Sequence, residues 1–75
     1  MTERLPAITS RQLISVLEKA GWRLHRTKGS HHHFVHPDRA VIITAPVHGG
    51  DLKRGLVAGI LKDAGISRED LLRLL

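Results

Sequence analysis

Turn-forming residues interrupt the middle of this chain at four places: Gly21, Gly29-Ser30, Pro37-Asp38-Arg39 and Pro46. Glycine admits the left-handed backbone that stops a helix, and proline withholds the amide that a sheet ladder requires. What lies between these stops is strand-sized. In 22–28, Trp22 and Leu24 fall on one face and Arg23 and His25 on the other. Residues 31–36 read as the returning strand. Val41-Ile42-Ile43-Thr44-Ala45 is the most β-branched run of all, a composition that suits the central strand of a sheet. Short turns joining three such segments specify a three-stranded antiparallel meander.

Helices bracket the meander. Thr9-Ser10-Arg11-Gln12 has the Thr-x-x-Gln spacing of a capping box, with Ile8 and Leu13 at the positions of a hydrophobic staple. Leu13, Ile14, Leu17 and Ala20 then recur at helical spacing, leaving Arg11, Ser15, Glu18 and Lys19 for solvent. The pattern predicts a helix over 10–20, stopped at Gly21. A second helix is expected from residue 52 or 54, with Leu56, Val57, Ile60, Leu61 and Ala64 inward and Gly65 as its stop. Gly55 and Gly59 weaken it by up to about 1 kcal/mol each, so close packing against the sheet or a ligand is expected there. Ile66-Ser67-Arg68-Glu69-Asp70-Leu71 repeats the staple and cap, predicting a short third helix over 68–75 behind Ser67. Leu71, Leu72, Leu74 and Leu75 exceed one thin stripe, so some face a partner chain or fray.

The expected fold is α+β: one domain across 1–75 in the order α-β-β-β-α, with a loose lead-in over 1–7 and the short extra C-terminal helix over 67–75. Helices on one face of a three-stranded antiparallel sheet leave the other face open to ligands. The chain holds 75 residues and no cysteine, which excludes disulfides and thiolate metal sites. No apolar run approaches the roughly 18 residues of a membrane span, and Met1-Thr2-Glu3-Arg4 lacks the apolar core of a signal peptide. A cytoplasmic protein with no membrane partner is expected. The net charge is +5, and its excess sits before residue 51, where seven Lys and Arg face three Asp and Glu. Such an imbalance favours a polyanion such as nucleic acid; solubility alone is the plainer reading.

The chemistry gathers where the charge does. His31, His32, His33 and His36 place four imidazoles within six residues, directly after Gly29-Ser30 and beside Arg26 and Lys28. Imidazole exchanges a proton near neutrality, and a Gly-Ser corner lets a substrate approach the backbone. Alternation puts His31, His33 and Val35 on one face and His32, Phe34 and His36 on the other. Phe34 argues that the even set is inward and Val35 argues the opposite. His31, at the strand mouth, is accessible on either phase. A histidine can support RNA cleavage without a metal, because the 2′-hydroxyl is already beside the scissile phosphate and only protons need moving. Arg26, Lys28, Lys53 and Arg54 are candidates to steady the phosphate, the last two with free amides at a helix start.

Plainer readings stand beside this one. The histidines can be surface polar residues, and Lys53-Arg54 a solvated helix end. The same basic face would suit a non-catalytic RNA-binding module. Zinc held by His31 and His33, or by His48 with either, has little support in spacing, since no HExxH pattern accompanies them. Trp22, next to a helix stop, reads as core.

These residues resemble a known family. Leu17-x-x-Ala20-Gly21-Trp22, Lys28-Gly29-Ser30-His31-His32-His33-Phe34 and His36-Pro37 are similar to the HicA toxins, also called YcfA-like proteins. The likeness continues through Pro46-Val47-His48, Leu52-Lys53-Arg54-Gly55 and Ile60-Leu61-Lys62-Asp63-Ala64-Gly65-Ile66. It implies a double-stranded-RNA-binding-like fold, ribosome-independent endonuclease activity on mRNA, and a HicB-like antitoxin that masks the active site; by the histidine chemistry above, no cofactor or metal is expected. It places the family's catalytic histidine at His31, with His32 the second candidate, and its glycine at Gly29, next to Ser30. Leu56 stands where many relatives have threonine, and Ala58 and Gly59 where polar residues often follow, so helix two is expected to make fewer RNA contacts.

Overall fold

The computed structural model describes residues 5–75, so positions 1–4 of the expected lead-in lie outside the described residues. Helix α1 (Ser10–Lys19) starts as its sequence specifies. The Thr9 hydroxyl accepts from the Gln12 amide at 3.2 Å, and the Gln12 side-chain carbonyl accepts from the Thr9 amide at 2.9 Å. Both staple residues, Ile8 and Leu13, are buried, as are Val16 and Leu17. Ala20 closes the helix and Gly21 follows at φ +97°, a backbone that residues with a Cβ rarely adopt.

Strands β1 (Arg23–Lys28), β2 (His31–His36) and β3 (Arg39–Pro46) form an antiparallel sheet in the order β1-β2-β3. The β-branched strand is therefore an edge, contrary to its composition, and β2 with its histidines is the centre. Two tight turns pair each strand with its chain neighbour, which puts the middle segment in the middle whatever it is made of. At the edge, Val41 and Ile42 remain 38% and 55% exposed.

Helix α2 (Arg54–Ala64) buries Val57, Ile60, Leu61 and Ala64 and ends at Gly65 in the left-handed conformation, φ +71°. Leu56, expected inward, is 40% exposed, because it lies one step off the 57-60-61-64 stripe. Close packing at Gly55 and Gly59 is also not found: a Cβ at either position would meet nothing within 4 Å. Helix α3 (Arg68–Leu74) is capped by Ser67, whose hydroxyl accepts from the Asp70 amide at 3.0 Å. Its Leu71 is buried with Ile66, while Leu72 and Leu75 are exposed.

Phe34, Ile43 and Ala45 face the helices and join one core with Leu17, Leu61 and Leu71. Each large apolar side chain so buried contributes about 1.5–3 kcal/mol. Phe34 thereby settles the phase of β2, with the even-numbered residues inward. Strand β1 gives nothing to this core; all six of its residues are exposed, Leu24 among them. The layout is α+β, α-β-β-β-α with a short C-terminal helix. The helices cover one face of the sheet.

Candidate functional site

The β1–β2 hairpin turns through Gly29, at φ +59°, and Ser30. Only open space lies where a Cβ at residue 29 would stand. The turn sets Lys28 directly across from His31, which pairs on its other side with Pro46. The Ser30 carbonyl accepts from the Val47 amide at 2.7 Å and anchors the strand mouth to the end of β3. His31 is exposed on the open face, and among the described residues its ring has no hydrogen-bond partner.

Its neighbours differ. His32 points to the helix side, stacked on Phe34 with ring centroids 6.5 Å apart, and its Nδ1 is buried with no partner among the described residues. His36 is structural: its Nδ1 accepts from the Asp38 amide at 3.0 Å and its ring tilts against Trp22 at 5.2 Å. His33 returns to the open face, its Nδ1 2.9 Å from the Thr44 hydroxyl. Beyond the sheet, His48 Nδ1 lies 2.9 Å from the Gly49 carbonyl. A carbonyl can only accept, so that nitrogen carries the proton.

One irregularity shapes the open face. The β1–β2 register shifts between Leu24 and Arg26, so His25 is an extra residue in β1. Leu24 pairs with Phe34, Arg26 with His33 and Lys28 with His31. A cleft of about 350 Å³ results, lined by His25, Arg26, Lys28, His33 and Ile42, with no carboxylate among them. A larger cavity of about 590 Å³ lies between α1 and the loop after β3, lined by Ser10, Arg11, Ser15, Glu18 and His48 among others. None of the β2 histidines lines it, whereas the smaller cleft is lined by His33 and by Lys28, the residue across from His31.

Of the residues singled out from the sequence, the structure brings Arg26, Lys28, Gly29, Ser30 and His31 to one end of the hairpin. Lys53 and Arg54 stand apart, at the start of α2. Lys53 occupies its cap position without capping it, and Arg54 Nε donates to the Leu5 carbonyl at 2.9 Å. The sequence pattern marks neither His25 nor Thr44 as site residues, and it offers His33 only as a weak metal ligand. Taking Phe34 as inward would have placed His33 beside His31; nothing in the sequence marks His25 as a bulge. Among the described residues no three His, Cys, Asp or Glu are grouped to hold a metal ion, and no helix is long and apolar enough to cross a membrane.

The fold and this face define a small basic α+β domain that presents an imidazole and cations on an uncovered sheet surface. Compared with known families, it matches the HicA toxin of bacterial toxin–antitoxin systems over residues 10–66. The chain belongs to that family, and is thereby a toxin of a toxin–antitoxin system with an antitoxin for a partner. No curated protein matches it.

Proposed function

We propose that this toxin is an endoribonuclease that cleaves mRNA in the cytoplasm by histidine acid–base catalysis and needs no metal. One observation carries the reading: His31 stands open to solvent with no hydrogen bond among the described residues, directly across from Lys28, at a turn with no side chain at Gly29. His31 takes the proton of the 2′-hydroxyl, whose oxygen then attacks the adjacent phosphorus. The bond to the 5′-oxygen breaks and that oxygen receives a proton in return, which leaves a 2′,3′-cyclic phosphate and a 5′-hydroxyl. Positioned proton transfer of this kind contributes about 10²–10⁴-fold. Lys28 stabilises the charge that builds on the phosphate oxygens, and Arg26 binds the RNA backbone beside it. The amides of Gly29 and Ser30 lie beside the same phosphate, and Lys53 and Arg54 contact RNA farther along. A HicB-like antitoxin covers this face and silences it.

The test is incubation of purified protein with end-labelled RNA in EDTA. Fragments ending in cyclic phosphate are expected from the parent and not from His31→Ala. Scission by His31→Ala at the parent rate would remove His31 from the mechanism. Binding without scission by the parent would make the protein an RNA-binding module.

A further inference from the structure

The extra residue in β1 decides which face its cations occupy. In an unbroken strand Leu24, Arg26 and Lys28 would share a face, since side chains repeat every second residue. Leu24 is paired with Phe34 on the helix side, so strict alternation would turn Arg26 and Lys28 to that side as well. Inserting His25 shifts the phase by one and moves both cations to the open face, Arg26 opposite His33 and Lys28 opposite His31. The bulge thus builds two matched pairs, each a permanent cation across from an imidazole. They are spaced by one two-residue repeat of β2, about 6.7 Å.

From this juxtaposition we infer that Arg26 and His33 form a second phosphate subsite. RNA then lies as an extended single strand along β2, with consecutive phosphates on the Lys28–His31 and Arg26–His33 pairs. The inference rests on the reading of His31 as the cleavage point and adds the subsite beside it. The spacing of the pairs is close to the step between neighbouring phosphates of an extended strand. The Thr44 hydroxyl, 2.9 Å from Nδ1 of His33, holds that ring and leaves Nε2 as its unbonded nitrogen. No carboxylate lines the cleft to repel an anion, and Ile42, 55% exposed, gives a sugar or base an apolar surface to rest on. Because no residue of β1 is covered, the groove is open along its length, as a polymer requires. The strip is one pair of strands wide, which fits one nucleic-acid chain rather than a duplex.

The probe is a fluorescent 2′-O-methyl oligoribonucleotide of about ten nucleotides, which binds but cannot be cut because the attacking hydroxyl is blocked. Its anisotropy is followed against salt for the parent, Arg26→Gln and His33→Gln, with the far-ultraviolet dichroism of each variant confirming its fold. Each substitution is expected to weaken binding about tenfold at low salt. Arg26→Gln, which removes a cation from a phosphate, should also make the slope of log K against log salt shallower by about 0.7. Unchanged affinity and slope in both variants would overturn the subsite. So would tighter binding of a duplex of the same sequence, or variants that keep RNA but no longer capture the purified antitoxin. Unmodified RNA separates this inference from the proposed function. A parent that binds with the expected slope but never cuts overturns the nuclease and leaves the phosphate track. A parent that cuts while both variants bind like it overturns the subsite alone.

Discussion

The imidazole of His36 lies against Gly21, so closely that a methyl group added at residue 21 would come within 2.9 Å of Nε2. The same ring is held by the Asp38 amide and by Trp22, so it cannot swing away without releasing the β2–β3 turn. Residue 21 also sits at φ +97°. Gly21→Ala therefore combines a close contact with a strained backbone and should destabilise the fold by about 1–3 kcal/mol. At Gly29, where φ is +59° and a Cβ meets only open space, alanine should cost about 1 kcal/mol from backbone strain alone. Urea denaturation of the two variants checks the ranking, and equal midpoints would show that His36 exerts no packing constraint on Gly21.

Glycine has the opposite meaning within α2. A Cβ at Gly59 would touch nothing, and the position lies on the exposed side of the helix. Gly59→Ala should stabilise the protein by about 0.5–1 kcal/mol, partly by narrowing the conformations open to the unfolded chain. A higher midpoint in thermal denaturation is the expected result. A lower one would mean that this side of α2 is packed against something.

These contrasts show which parts of the structure were legible in the sequence. Local signals survived intact: the Thr9–Gln12 box, the Ser67 cap, the Gly65 stop and the turns at Gly29 and Pro37 depend on residues a few positions apart, and each formed where its spacing placed it. What depended on a distant partner did not read through. Val41 and Ile42 look like a strand centre, yet their place at an edge follows from the turns that pair β2 with both neighbours. Leu24 and Leu56 are apolar and exposed because the helices stop short of β1 and the α2 stripe falls one residue away. The bulge at His25 has no compositional mark, because it exists only relative to the register of β2. For that reason His31 could be singled out from the sequence, whereas its companion His33 needed the fold.

Helix α3 offers a test by pH. Asp70 Oδ1 accepts from Arg73 Nη2 at 2.8 Å. That guanidinium, aided by the Ser67 hydroxyl, holds the Asp70 carboxyl below the ordinary carboxylate range. A carboxyl that is more acidic folded than unfolded stabilises the fold at neutral pH, and the contribution disappears as pH falls through the carboxylate range. The pair is exposed, so its effect is local fraying of α3 in acid rather than global unfolding. Titrating the Asp70 carboxyl by NMR should give a low midpoint in the parent and a higher one in Arg73→Gln. Coincident midpoints would show that Arg73 is not the cause.

The adjacent histidines give the sharpest comparison, because one residue of sequence separates opposite environments. His31 faces the open side across from Lys28, while His32 turns inward onto Phe34 with a buried, unpartnered nitrogen. If chemistry follows exposure, His31→Ala should slow RNA cleavage by about 10²–10⁴-fold with stability little changed, since the residue is exposed. His32→Leu should keep cleavage near the parent rate. Its stability should hold or rise, because leucine removes a buried polar atom whose unsatisfied state costs about 1–3 kcal/mol. Single-turnover cleavage and urea unfolding on the same two preparations decide the matter. A reversed pattern, with activity lost in His32→Leu and kept in His31→Ala, would move the proton transfer to the helix side of the sheet. It would also strip the Arg26–His33 strip of its link to catalysis, since that strip shares a face with His31 alone.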